Sequence, residues 1–234
     1  MKLSIIIPVY NEEATVAKII AKVKGVNLPG GLEREIVVVD DGSNDKSPKI
    51  LGGISGIKFF QHTKNKGKGA AIRTGLEKAT GEIVLIQDAD LEYDPNDYSR
   101  LILPILEGKT KVVYGTRLKT LPLVFSGKRR TPFVSHYLGN SFLSFVTNLL
   151  YGASLTDMET CYKVFKREVV AKMRLVSDRF EIEPEITAKI LKAGNKILEV
   201  PIKTKPRGYD EGKKITWIDG FGAIWTLFKY KFVE

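Results

Sequence analysis

Uninterrupted apolar runs recur through the first half of the chain: Ile5 to Ile7, Ile36 to Val39 and Ile83 to Ile86. Runs this short and continuous suit strands covered on both faces, as in a parallel sheet flanked by helices. The alternation predicts strands over "KLSIIIPVY", "EIVVVDDGS", "IKFFQH", "EIVLIQDAD" and "KVVYGTR". Helices are expected over "NEEATVAKIIAKVKGV", "AAIRTGLEKAT" and "PNDYSRLILPILEG", which gives the rhythm of an α/β fold with a mostly parallel central sheet. Asn11 is the expected N-cap of the first helix, with Glu12 and Glu13 suiting its positive end.

The second half breaks this rhythm. "LKTLPLVFSGKRRTP" reads as a loop, "CYKVFK" as a strand, "EIEPEITAKILKAG" as a helix and "KILEVPIKT" as a strand. Two amphipathic segments remain, near 132–151 and 216–232. In the first, Phe133, Tyr137, Leu138, Phe142 and Phe145 follow the cations of "GKRR"; in the second, Trp217, Phe221, Ile224, Trp225, Phe228 and Phe232 recur at helical spacing beside Lys229 and Lys231. Residues 131–156 carry no Asp, Glu, Lys or Arg, yet their Ser, Asn, Thr and Gly content, with His136, makes a poor hydrocarbon-spanning helix. Such segments more often cover their own core. Two of them, each beside a basic cluster, fit the headgroup layer of a membrane, where each Lys or Arg gains about 1 kcal/mol from anionic lipid.

Composition narrows the partners. The chain has 234 residues, 43% of them apolar, enough for one domain with a real core. Its 37 Lys and Arg against 27 Asp and Glu give a net charge of +10, which favours an anionic partner: nucleic acid, nucleotide or acidic membrane surface. A nucleic-acid module would cluster its cations with aromatic stacking platforms; here the lysines spread along amphipathic helices and no RNA-binding motif occurs, so no nucleic acid is expected. Cys161 stands alone and the histidines are His62 and His136, too few for a disulfide or a His-rich zinc site. "KLSIIIPVY" is too short and too early for a signal peptide. The expected setting is the cytoplasm, peripheral on the cytoplasmic face of the membrane; no long apolar tail follows, so any further anchor is expected from a partner.

The chemistry gathers where strands end, since ligands of such sheets sit outside the carboxyl ends of the strands. "VLIQDADLEYDP" closes an aliphatic run with Asp88, Asp90, Glu92 and Asp94, spaced two apart; continued as a strand they would share one face and repel, so positive charge is expected there. The plain alternative is a solvated acidic turn that caps the next helix. Their hard oxygens suit Mg²⁺ or Mn²⁺, and a cation there could clamp a diphosphate. In "VVVDDGSND" a fixed Asp suits the N–H edge of uracil or guanine, although an Asx turn uses the same residues. "NKGKGAAIRTG" lacks the spacing of either a P-loop or a dinucleotide fingerprint; its Lys66 and Lys68, at a helix start, suit an anion or merely a capped helix.

Taken in order, "IIIPVYNEE", "VVVDDGSND", "NKGKGAAI", "QDADLEYDP", "YGTR", "TDMETCYKVFK" and "YDEGKKITWIDG" resemble the family 2 glycosyltransferases of GT-A fold, in particular the dolichyl-phosphate mannose synthase branch and its polyprenyl-phosphate relatives. The resemblance implies a nucleotide-sugar-binding half over 1–117 and an acceptor-binding half over 118–234. It places Pro8, Tyr10 and Glu12 in the nucleotide-binding segment, and Val39 and Asp41 along the base. Asp88, Ala89 and Asp90 match the DxD element, and Asp88, Asp90 and Glu92 are the expected metal ligands, Asp90 and Glu92 foremost; relatives often carry Gln at the last position. Arg117 matches an arginine near both phosphates, and Arg207 and Lys214 a basic pair in the acceptor loop, the match at Arg207 being offset by about a residue. Asp157 falls where many family members place a general base. A polyprenyl phosphate is already an anion and needs no proton removed, so Asp157 reads equally as an orienting group or a turn, a base being needed only for a sugar-hydroxyl acceptor. The implied reaction is inverting transfer of mannose or glucose from GDP-mannose or UDP-glucose to polyprenyl (dolichyl) phosphate; the alternative within the class is transfer to a sugar hydroxyl.

Overall fold

The fold, taken from a computed structural model, is described for residues 1–117, 134–205 and 217–233. Arg207, Lys214, Phe133 and the "GKRR" cluster lie outside them. Seven strands form one sheet in the order β3-β2-β1-β4-β6-β5-β7. The apolar runs supply β1 (Lys2–Val9), β2 (Glu33–Asp40), β3 (Lys58–Gln61) and β4 (Ile83–Ile86), all parallel. β5 (Val112–Thr116) follows as expected, and β6 (Lys163–Lys166) inserts between β4 and β5, antiparallel to both. β7 (Ile197–Pro201) closes the edge parallel to β5.

The helices cover both faces. They are α1 (Val16–Gly25), α2 (Ser47–Gly52), α3 (Lys68–Lys78), α4 (Tyr98–Leu106), α5 (Val134–Tyr151), α6 (Arg167–Val170), α7 (Ile182–Lys192) and α8 (Trp217–Phe232). The main core gathers Ile5, Ile7, Val37, Val39, Ile83, Leu85, Val113 and Phe165, all fully buried. This is why the strands read as continuous apolar runs. A second cluster, with Leu143, Val146, Met158, Leu227 and Tyr230, packs the inner faces of α5 and α8 near α7.

The first helix starts later than its sequence suggests. Asn11 is no N-cap: it sits at φ 51, in the left-handed region, and its Oδ1 accepts the Asn44 N–H at 2.9 Å. Glu13 is likewise drawn away, accepting the Lys46 N–H at 2.9 Å. The segment after β1 is therefore stitched to the segment after β2, and the helix forms only from Val16. The short α2 has no counterpart among the expected elements, six residues being too few to show a period.

Candidate active site

The parallel strands present their carboxyl ends on one rim. Register places Val9 opposite Asp40 and Ile6 opposite Ile86, so the segments after β1, β2 and β4 emerge side by side. β5 delivers Arg117 just beyond Thr116. Pro8, Tyr10, Glu12, Val39, Asp41, Asp88, Ala89, Asp90 and Glu92 thus belong to this rim or the strand ends beneath it. Val39 is fully buried in the core and Ala89 nearly so. Glu12 is buried, its Oε2 accepting from Thr15 Oγ1 at 2.7 Å.

The acidic run does not keep its acids on one face. β4 stops at Ile86, and Leu91 turns the chain at φ 65, a left-handed conformation that costs a branched residue energy and breaks the alternation. Each acid then meets a different partner. Asp88 forms an ion pair with Lys68 at 2.9 Å, Asp90 Oδ1 accepts the Glu92 N–H at 3.0 Å, and Asp94 Oδ1 accepts the Asn96 N–H at 3.2 Å. The expected positive charge is present, and it is the chain's own Lys68. The capping alternative describes Asp94.

Gln87 fixes the strand end. Its Oε1 accepts from the buried hydroxyls of Tyr98 (2.7 Å) and Tyr162 (2.8 Å), while its Nε2 donates to the Asp88 carbonyl at 3.0 Å. Lys68 reaches on to Glu183 at 3.0 Å, and Glu183 pairs with Lys163 at 2.6 Å. The Lys163 ammonium is fully buried and also donates to the Met158 and Thr160 carbonyls. Burial alone would lower the Lys68 pKa and raise that of Asp88; the mutual attraction outweighs it, so Lys68 is raised well above the ordinary lysine value and Asp88 lies below the usual carboxylate value. Burial, followed by the Asp88 charge, pushes the Cys161 thiol far up, so it stays a thiol.

The glycines of "NKGKG" have a packing reason. A Cβ on Gly69 would stand 2.3 Å from the Ser177 carbonyl oxygen, and one on Gly67 2.3 Å from that of Asp178. Gly67 also sits at φ +105. The loop is held on its other side by Asp41, which is buried: Oδ1 accepts from the Lys66 N–H at 3.0 Å, Oδ2 from the Gly67 N–H at 2.7 Å. His62 Nδ1 lies 2.7 Å from Asp41 Oδ1, and its Nε2 lies 2.9 Å from Thr74 Oγ1. Asp41, the carboxylate expected along the base, thus also organises this loop.

On the other side of the rim, Arg117 and Asp157 form a fork-to-fork pair. Arg117 Nε donates to Oδ2 at 2.7 Å, Nη2 to Oδ1 at 2.6 Å, and the Arg117 backbone N–H to Oδ2 at 2.9 Å. The Asp157 side chain has no exposure and that of Arg117 keeps 19%. Burial opposes the Arg117 charge, but Asp157 outweighs it and holds the guanidinium protonated. Glu199 of β7 secures the turn, accepting the Thr156 and Asp157 N–H groups at 2.8 and 2.9 Å. Gln87, Lys163, Glu183 and Glu199 were missed by sequence reasoning. Only Lys163 left a trace, as a cation inside the otherwise apolar "YKVF".

Asp90 and Glu92 offer hard carboxylate oxygens at the strand end. Among the described residues no three His, Cys, Asp or Glu side chains converge as a metal-ligand group. This donor set fits Mg²⁺, which is commonly held by one or two carboxylates together with substrate phosphates.

A sheet of this topology, with a carboxylate turn after β4 and an arginine after β5, defines a GT-A type glycosyltransferase fold. Solved structures agree: glucosyl-3-phosphoglycerate synthase from Mycobacterium tuberculosis superposes with a TM-score of 0.72 at 21% identity, covering 100% of this chain and 79% of that one. The family model described as glycosyl transferase family 2 matches residues 4–174, and the chain belongs to that family. A UDP-N-acetylglucosamine–dolichyl-phosphate N-acetylglucosaminyltransferase of Methanococcus voltae is 31% identical over 97% of this chain and 95% of its own length. A dolichol-phosphate mannosyltransferase of Pyrococcus furiosus is 29% identical over 99% of this chain and 65% of its own.

Proposed function

We propose that the protein transfers a hexose from a nucleotide sugar to a polyprenyl (dolichyl) phosphate. The observation that carries the acceptor class is the state of Asp157: fully buried, with both oxygens committed to Arg117. A hydroxyl acceptor needs a base at this position, whereas a phosphate acceptor needs a cation, and Asp157 fixes one. In this reading an acceptor phosphate oxygen attacks the anomeric carbon in line as the bond to the diphosphate breaks, and the nucleoside diphosphate leaves with inversion. Arg117 orients the acceptor and offsets its repulsion from the donor, Arg207 and Lys214 being assigned to the same task. Pro8, Tyr10, Glu12, Val39 and Asp41 form or support the nucleotide site. Asp90 and Glu92 are the proposed ligands of a Mg²⁺ or Mn²⁺, whose charge when bound offsets that growing on the leaving diphosphate. Asp88 enters this site through Lys68.

The relatives that act on dolichyl phosphate support this acceptor; their named sugars differ, N-acetylglucosamine in one and mannose in the other, so GDP-mannose, UDP-glucose and UDP-N-acetylglucosamine all belong in the test. Incubation with Mg²⁺ or Mn²⁺, dolichyl phosphate and each donor in turn should release one nucleoside diphosphate. Release from none of them, with donors of every base tried, sinks the reading.

The same proposal places the protein on the cytoplasmic face of a membrane. No described helix is long and apolar enough to cross one. Leu138, Phe142, Phe145 and Leu149 form an exposed stripe on α5; Phe221, Trp225, Phe228 and Phe232 repeat the same spacing on α8, beside exposed Lys229 and Lys231. Each stripe leaves four large apolar side chains at least 42% exposed, more than singly scattered surface residues and the mark of an interaction surface. Sedimentation with anionic vesicles should carry the protein down, and Phe145→Ser with Trp225→Ser should release it; wild-type protein left in the supernatant speaks against the membrane.

A further inference from the structure

The segment from Asp157 to Cys161 crosses the rim between the acidic turn and Arg117. Cys161 is tied to the acidic side, its N–H donating to Tyr93 Oη at 3.1 Å and its thiol facing the Ile86 carbonyl at 3.8 Å. Asp157 is tied to the Arg117 side. Glu159 and Thr160 lie between these anchors. Glu159 Oε1 and Thr160 Oγ1 are both buried, and neither has a hydrogen-bond partner among the described residues. Lys163, which could have satisfied the Glu159 carboxyl, spends its ammonium on Glu183 and two carbonyls.

Buried polar atoms are nearly always paired, and an orphaned one costs about 1–3 kcal/mol. Two on adjacent residues, a carboxyl and a hydroxyl, suit a ligand that both donates and accepts hydrogen bonds. The anions assigned to this rim serve the pair poorly: their oxygens only accept, which suits the Thr160 hydroxyl but not an ionised Glu159. The hydroxyl groups of the transferred sugar do present donors, and the sugar must lie between the diphosphate beside Asp90 and the acceptor phosphate beside Arg117.

We infer that Glu159 is a sugar-binding residue, its carboxyl oxygen accepting a hydrogen bond from a hydroxyl of the transferred hexose, with Thr160 Oγ1 beside it as a second polar contact. The inference rests on the glycosyl-transfer reading and assigns which part of the donor this segment reads. The environment supports it: burial and the neighbouring Glu183 and Asp157 charges, against Lys163 and Arg117, push the Glu159 carboxyl up to about 7. Near neutrality it can therefore both accept and donate, which suits a polyol.

The test is calorimetry on the full chain with Mn²⁺, comparing nucleoside diphosphates with their hexose conjugates. Glu159→Met, which keeps the volume and removes the acceptor, should weaken the wild type's preferred nucleotide sugar about tenfold while changing its free diphosphate less than twofold. Thr160→Val should act in the same direction on the sugar conjugate alone. A deoxy-sugar analogue lacking the contacted hydroxyl should bind wild type about tenfold less tightly, and the Met variant should no longer distinguish it from the parent. Equal weakening of diphosphate and conjugate, or no weakening of either, overturns the assignment and leaves an ordered water as the occupant. Wild-type protein that binds free diphosphate but no sugar conjugate also overturns it. Failure to bind any nucleotide at all removes the glycosyl-transfer reading itself, and this inference with it.

Discussion

Replacing Asp157 with alanine removes both side-chain bonds to the Arg117 guanidinium and the one to its backbone N–H. With Asp157 at zero exposure and Arg117 at 19%, water can replace little of what is lost. An exposed pair would be worth about 0.2–1 kcal/mol, whereas breaking a buried one costs about 3–5 kcal/mol because a charge is left stranded. Asp157→Ala is therefore expected to lose about 3–5 kcal/mol in urea denaturation at pH 7. Arg117→Ala should lose at least as much, since it strands the fully buried Asp157 carboxylate, and the double variant should fall short of the sum by up to about 3 kcal/mol. Turnover carries the functional half: Asp157→Asn should slow the enzyme by about a hundredfold through a misplaced Arg117, with the shape of its pH–rate profile unchanged. A stability loss below about 1 kcal/mol with no coupling would refute the account of the pair. Loss of the acidic limb of the profile in Asp157→Asn would restore the carboxylate as a base.

Gly69→Ala should destabilise by about 1–3 kcal/mol in a thermal melt, because its Cβ meets the Ser177 carbonyl, whereas Gly139→Ala on exposed α5, with nothing within 4 Å, should stabilise by about 0.5–1 kcal/mol. Equal effects would contradict the packing reason for the loop glycines. Lys163→Met should cost about 3 kcal/mol by leaving Glu183 with Lys68 alone and two carbonyls without their ammonium; a neutral result would mean that the buried ammonium is dispensable. Glu159 gives a pH signature. Its carboxyl is raised from 4.5 to about 7, so between those values the unfolded chain binds fewer protons than the folded one, and stability falls as pH rises through that window. The full shift corresponds to about 3 kcal/mol at most, and Glu159→Gln should flatten that part of the curve; identical pH–stability curves for the two proteins would count against the burial argument.

The sheet was largely legible because strands covered on both faces must be apolar throughout, and β1, β2 and β4 show it. The rim was legible too, since strand ends carry the polar clusters. What stayed hidden depends on long-range partners. Nothing in "NKGKG" announces that residues 177–179 lie on its glycines, or that Lys68 pairs with Asp88 twenty positions on. The antiparallel direction of β6 is equally silent, because a four-residue strand carries no sense of direction. Asn11 misled because an Asn before a polar-rich helical stretch suits a cap, while its side chain was taken by Asn44 on a neighbouring loop. The burial of Asp157 against Arg117 is likewise something spacing alone does not reveal.

The account stands or falls on what receives the sugar. Offered its working donor with dolichyl phosphate and dolichol in parallel, the protein should form a glycosyl phosphate of inverted anomeric configuration from the phosphate and nothing from the alcohol. Equal transfer to dolichol, or a product of retained configuration, would contradict it.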